Sequence, residues 1–256
     1  VTGVFGQDGY AVRFDWGQAG ARACAAAVDV VVDVLSFSTA VTVATERGTR
    51  VHPCAWRDER AAAAAAGLGA VLAVGRADAR RDGAASAPSL SPAALRHADL
   101  PERLVLPSPN GSTIAAALAA GGGTVVAGCL RNATSVGVWL AGAVRAGRTV
   151  AVIAAGERWR EDGSLRPALE DHLGAGAILS AVRRTGPVRL SPEAEAAAAL
   201  YDAVAGDLAR LLEDAVGGRE LGDAGFADDV AVAAEVDASP VVPVLVDGAF
   251  TRIDDA

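Results

Sequence analysis

Short β-branched runs and alanine-rich helical stretches take turns along this chain. Residues 10–16, YAVRFDW, alternate apolar and polar side chains and predict a strand. Residues 27–35, AVDVVVDVL, are almost unbroken apolar, the pattern of a strand covered on both faces. A helical pattern follows from Ala40 to Arg47 and closes at Gly48. Further strands are predicted at Val51–Pro53, Val71–Val74, Leu104–Leu106, Val125–Ala127 and Thr149–Ala154. Between them, helices are predicted over Asp58–Gly67, from PSPNGST to Ala120, over Val136–Arg145 and over Ala168–Arg184. Ser191-Pro192-Glu193 opens a helix expected to run to about Val216, because proline suits a first helical position. Val241–Val246 and Phe250–Ile253 flank Asp247-Gly248 and read as a hairpin.

Strands and helices at this spacing predict an α/β fold with a mainly parallel, right-handed sheet. The terminal hairpin and the first strand make the sheet mixed. A length of 256 residues suits one domain over 1–256, or two closely packed α/β halves. Two polar stretches break the rhythm and are expected to be loops: residues 75–92, GRADARRDGAASAPSLSP, and residues 155–167, AGERWREDGSLRP.

Composition narrows the chemistry. Hydrophobic residues make up 52% and charged residues 21%, a globular balance. The net charge of -8 argues against a nucleic-acid partner, which needs a basic surface. No apolar run reaches the roughly 20 residues that cross a bilayer, so no membrane association is expected. The N-terminal stretch shows no basic-then-apolar leader, so a cytoplasmic protein is expected. All 23 basic residues are arginine. Schiff-base chemistry and a P-loop lysine are therefore excluded, and a cation for an anionic ligand must be arginine or a metal. Cys24, Cys54 and Cys129 form no CxxC pair, and His52, His97 and His172 form no HExxH, so neither a disulfide framework nor a zinc site is expected.

In α/β sheets, ligands sit beyond the carboxyl ends of strands. The polar segments DVLSFST, PSPNGST, GCLRNATS and AGERWREDG, the last leading to LEDH, fall there. Asp33 ends the apolar run, where an isolated carboxylate is costly unless paired or bound to a cation. Ser36, Ser38 and Thr39 follow at a helix start, placed to cap the helix or to meet a phosphate. Asn110, Gly111 and Ser112 in PSPNGST, and Asn132 in LRNATS, set an amide and a hydroxyl between a strand and a helix. Three readings fit: turn chemistry, an N-x-[ST] glycosylation acceptor and an anion cradle. The missing leader weighs against glycosylation. Glu157, Glu170 and Asp171 are acidic candidates. The last two suit either a helix dipole or Mg²⁺, which takes one or two carboxylates plus waters and phosphate oxygens. His172 on an alanine-rich helix reads as structural. Ser135 stands where a CX5R phosphatase loop starting at Cys129 needs arginine, and Leu35 stands where an Asp-x-Asp nucleophile motif needs an acid. Those two phosphatase types are disfavoured.

In order, the chain carries DVLSFSTAVTVA, LVLPSPNGSTIAAAL, VVAGCLRNATSV, VAVIAAGE, ALEDHLGAGAI and DDVAVAAEVDASPVVPVLVDGAF. This set resembles the 2-phosphosulfolactate phosphatase (ComB) family from about Val28 to Phe250. The resemblance implies a three-layer α/β/α fold and a Mg²⁺-dependent phosphatase acting on 2-phosphosulfolactate in coenzyme M biosynthesis. It carries roles onto Asp33, Asn110, Gly111, Asn132, Glu170 and Asp171. On this reading Asp33, Glu170 and Asp171 are catalytic and hold the metal. Ser36, Ser38, Thr39, Asn110, Gly111, Ser112 and Asn132 bind a small anionic phosphate ester. A homodimer is left open. Family members usually have arginine after DVL, where this chain has Ser36, so Arg76, Arg80 or Arg81 is a candidate replacement charge. The alternative is a relative without phosphatase activity that binds a small anion or a partner.

Overall fold

The computed structural model describes residues 3–81 and 88–253. The first half runs β1 (Val12–Trp16), α1 (Gly17–Cys24), β2 (Val28–Val32), α2 (Phe37–Glu46), β3 (Arg50–Cys54), α3 (Glu59–Leu68), β4 (Val71–Leu72), α4 (Arg76–Arg81), α5 (Pro92–His97), β5 (Arg103–Pro107) and α6 (Gly111–Ala120). The second half runs β6 (Thr124–Gly128), α7 (Ala133–Arg145), β7 (Val150–Ala154), β8 (Glu157–Arg158), β9 (Leu165–Arg166), α8 (Leu169–Arg184), α9 (Pro192–Val204), α10 (Leu208–Asp214), α11 (Val216–Asp223), α12 (Ala227–Ala233), β10 (Pro243–Val246) and β11 (Ala249–Arg252). No helix among the described residues is long and apolar enough to cross a membrane.

Nine strands form one sheet in the order β1-β7-β2-β6-β10-β11-β3-β5-β4. Its two-residue period sorts side chains into two cores. Val28, Val30 and Val32 of β2 and Val150, Val152 and Ala154 of β7 join one core with α7, α8 and α9. Val31, Ala151 and Ile153 join the other, with α1, α2 and α6. Every residue of β2 is buried, as the apolar run predicts. The result is a three-layer α/β/α fold.

The sheet has two parallel blocks. β1, β7, β2 and β6 run together, and so do β3, β5 and β4. The antiparallel hairpin β10–β11 joins them through Val244–Val126 and Phe250–Val51. Three antiparallel steps set the blocks in opposite senses. From β2 to β5 there are five steps. At about 20–25° of twist each they turn the second block by roughly 100–125°. That rotation lets the ends of β2 and β5 meet around α2. Helix α2 is accordingly buried from Phe37 to Thr45. Two of its hydroxyls are satisfied within the helix, Thr42 Oγ1 donating to Ser38 O at 2.8 Å and Thr45 Oγ1 to Val41 O at 2.8 Å.

Several local expectations change. Ser191 does cap α9, accepting from Ala194 N at 3.2 Å, but the helix stops at Val204. Ala215 then turns to extended backbone before α11. Gly217 and Gly218 permit this turn. A methyl on Gly218 would lie 1.8 Å from Leu212 O, and one on Gly217 would lie 2.3 Å from Glu170 Oε1. The polar stretch 75–92 is not all loop: it contains α4, its residues 82–87 lie outside the described part, and α5 starts at Pro92. Residues 155–167 carry the small hairpin β8–β9.

Candidate active site

Asp33 leaves the end of β2 between two helix N-termini. Phe37 N, in the first turn of α2, donates to Oδ1 at 3.0 Å. Gly111 N, at the first position of α6, donates to Oδ2 at 2.9 Å, and Ser108 Oγ lies 3.4 Å from the same oxygen. One carboxylate therefore serves two helix starts, each of which favours negative charge. The anion cradled by the Asn110-Gly111 turn is the protein's own. Glycine is required there, since a Cβ would sit 2.4 Å from the Phe37 ring and 2.7 Å from Asp33 Oδ2.

Three further carboxylates surround Asp33. Glu157 opens β8 and accepts from Asn110 Nδ2 at 2.9 Å. Glu170 and Asp171, in the first turn of α8, are both buried. Asp171 latches two strand ends together, Oδ1 accepting from Val34 N at 2.7 Å and Oδ2 from Gly156 N at 2.8 Å. Burial pushes all four acids above their ordinary range. The backbone amides of Phe37 and Gly111 oppose this at Asp33. The charge on Asp33 adds to the rise at Glu157, Glu170 and Asp171, and Glu157 is pushed up to about 6. The cluster needs protons or a cation to relieve it.

A cavity of about 320 Å³ opens beside Asp33. Asp33, Ser108, Asn110 and Glu157 line it, and Ser36, Arg76 and Arg57 add hydroxyl and guanidinium groups. Gly217, Glu220 and Leu221 bring α11 to its rim. The Leu35–Ser36 peptide beside it is cis. Among the described residues, no three His, Cys, Asp or Glu side chains are gathered as a metal site made of protein ligands alone. The donors present are hard carboxylate oxygens with lone pairs beyond those the amides use. That fits Mg²⁺, which completes its shell with water and phosphate oxygens.

The structure brings together Asp33, Ser36, Asn110, Gly111, Glu170 and Asp171. It places the other candidates elsewhere. Ser38 Oγ donates to Val31 O at 2.9 Å and accepts from Asp33 N at 3.0 Å. Thr39 Oγ1 donates to Val34 O at 2.7 Å, and Ser112 Oγ to Leu106 O at 3.1 Å. All three are fully buried, with hydroxyls committed to backbone at the strand ends. Asn132 lies away from the cavity. Its Oδ1 accepts from Cys129 N at 2.9 Å, and its Nδ2 donates to Ala127 O at 3.2 Å and Val241 O at 3.0 Å. It closes the end of β6 rather than walling the cavity, so LRNATS is not a second copy of PSPNGST. His172 stacks on Phe14 with ring centroids 5.4 Å apart, and burial holds it below its ordinary range. Cys129 is fully buried and its thiol is pushed up by burial.

Sequence reasoning missed Arg57, Ser108 and the contribution of α11. The Gly217-Gly218 pair inside a helical run was the one available signal for α11. Arg76 does reach Ser36, donating through Nη2. Arg80 and Arg81 lie in α4, and their side chains are outside the described part.

A family model described as 2-phosphosulpholactate phosphatase matches residues 18–248. No curated protein matches the chain. The match runs from within α1 to beyond β10 and includes all four clustered carboxylates, and the chain therefore belongs to the 2-phosphosulpholactate phosphatase family of phosphoric monoester hydrolases.

Proposed function

We propose that this protein hydrolyses 2-phosphosulfolactate or a closely related phospho-hydroxy acid in a Mg²⁺-dependent reaction. The observation that carries this reading is the cluster of buried Asp33, Glu170 and Asp171 with half-buried Glu157 beside the cavity. Such a wall repels a phosphate dianion unless a cation stands between them. Asp33 and Glu170 are the residues that would hold Mg²⁺. The ion would supply charge neutralisation and polarise the phosphoryl oxygens.

The chain's own residues do the rest. The helix starts of α2 and α6 fix Asp33 through Phe37 N and Gly111 N, so its orientation is set before substrate arrives. Asp171 acts by position: it ties the backbone after β2 to the backbone after β7 and so sets the spacing of Asp33 and Glu157. Asn110 orients Glu157. The Glu157 carboxyl, pushed up to about 6, is ionised in most molecules at pH 7 but keeps a protonated fraction of about one in ten, and that form can pass its proton to the leaving oxygen. Arg57 and Arg76 offer the only cationic side chains that line this cavity among the described residues.

The test is phosphate release from 2-phosphosulfolactate and related esters with and without Mg²⁺, for wild type and Asp33→Asn. Wild type is expected to need the ion, and Asp33→Asn to lose metal-dependent turnover while remaining folded. Retained turnover in Asp33→Asn would sink the ligand role. Release of phosphate from none of the esters by wild type would favour the anion-binding alternative.

A further inference from the structure

Arg76 is built into the cavity wall in an unusual way. It starts α4, a helix remote in sequence from the carboxylate cluster, yet lines the same cavity. Its Nε donates to Asp229 Oδ2 at 2.6 Å, and its Nη2 donates to Ser36 Oγ. Asp229 is itself buried and fixed: it accepts from Ser91 Oγ and, at 3.2 Å, from Ala93 N. The guanidinium carbon also lies 5.9 Å from the Phe226 ring centre. The arm is thus held before any ligand binds, which removes most of the ordering cost of a contact. A guanidinium carries five donors in a planar fork, more than these two hydrogen bonds use. Its positive charge is a smaller, opposing influence on Asp33, whose carboxyl burial still holds above its ordinary range.

We infer that Arg76, presented by Asp229 and Ser36, recognises a second anionic group of the substrate, a carboxylate or sulfonate, and sets specificity for phosphate esters that carry one. The inference rests on the phosphatase reading above. The carboxylate wall and its cation take the phosphoryl group. A second anion on a small substrate needs its own cation, and Arg76 is the one fixed by buried partners. Arg57 also lines the cavity, but it is exposed and makes no ion pair among the described residues. Solvent screening leaves it the weaker contact.

Three esters with one skeleton separate this from a merely structural Arg76–Asp229 clamp. Glycerol 2-phosphate has no second anion, 2-phosphoglycerate adds a carboxylate, and 2-phosphosulfolactate carries both a carboxylate and a sulfonate. Arg76→Gln and Arg76→Ala are expected to lower kcat/KM for 2-phosphosulfolactate by about 10- to 100-fold more than for glycerol 2-phosphate, the range of one charge-assisted contact. The loss should fall mainly on KM. The intermediate ester shows which anion is read: a loss already present with 2-phosphoglycerate assigns the carboxylate, and one confined to 2-phosphosulfolactate assigns the sulfonate. Arg57→Ala should change the same ratio by less than about fivefold. Arg76→Lys keeps the charge without the fork and serves where the neutral variants melt early. Equal losses on all three esters, or no loss on any, would overturn the inference. If wild type released no phosphate at all, calorimetric Kd values for the same esters would still decide it. Loss of the wild-type preference for the esters that carry a further anionic group in Arg76→Gln supports the role of Arg76 even where the hydrolytic reading fails, and identical preferences in both proteins reject it.

Discussion

Replacing Glu157 by glutamine removes one charge from the cluster and almost no volume. The amide can still accept from Asn110 Nδ2, so the local geometry is kept. The carboxyl is pushed from 4.5 to about 6, first by burial and then by Asp33. A folded-state value above the unfolded one means that folding favours the protonated form. Below the unfolded value the residue costs nothing, and the cost grows as pH rises through the folded value. At 1.36 kcal/mol per unit, a rise of about 1.5 units costs the metal-free protein about 2 kcal/mol at pH 8. At about pH 5 the cost shrinks to under ~1 kcal/mol. Glu157→Gln should therefore raise the Tm of the metal-free protein by roughly 4–8 °C at pH 8, and by clearly less at pH 5. Thermal melts in a chelating buffer at the two pH values measure this directly. Turnover should move the other way and fall by about 100-fold or more, because glutamine carries no transferable proton. A Tm gain of equal size at both pH values, or a loss at pH 8, would refute the electrostatic account of the cluster.

The acidic half of this site was legible because burial makes carboxylates conspicuous. Asp33 ends a run whose apolar character already promised two covered faces, so its charge demanded partners, and two helix amides supply them. Glu157, Glu170 and Asp171 stood out by place instead, in a polar stretch beyond a strand and in the first turn of a predicted helix. The βα alternation, the Ser191 cap and the terminal hairpin followed from periodicity and turn chemistry. Strand direction did not, because an apolar period of two is the same whichever way a strand runs. The opposed sense of the β3-β5-β4 block was therefore hidden, and with it the twist that joins Asp33 to Gly111. Small polar residues misled for a related reason. Ser38, Thr39, Ser112 and Asn132 have the chemistry of an anion site, but each spends it on backbone groups that a buried strand end leaves open. Composition cannot tell these two uses apart. Helices α1 (GQAGARAC) and α11 were not predicted, and glycines in both mark close approaches, Gly20 to Asp15 and Gly217 to Glu170.

The same distinction between strand-end support and site chemistry separates two further substitutions. Asn132→Ala would strand Cys129 N, Ala127 O and Val241 O in a dry setting, at about 3 kcal/mol or more, since each buried orphan costs ~1–3 kcal/mol. Its Tm should drop by at least about 6 °C, read by thermal melts, while KM at a temperature where it is folded stays unchanged; a raised KM would return Asn132 to the site. Gly111→Ala should damage both properties at once. The new methyl meets the Phe37 ring at 2.4 Å and Asp33 Oδ2 at 2.7 Å, so the start of α6 must back away from the carboxylate it holds. Overpacking of this kind costs about 1–3 kcal/mol, and the lost amide leaves Asp33 less firmly oriented. Turnover should fall by more than the unfolded fraction accounts for, and the Mg²⁺ concentration giving half-maximal rate should rise. Circular dichroism melts with a Mg²⁺ titration of the rate measure both. If Gly111→Ala kept wild-type stability and wild-type Mg²⁺ response, the start of α6 would not be what fixes Asp33, and the site would need another source of order.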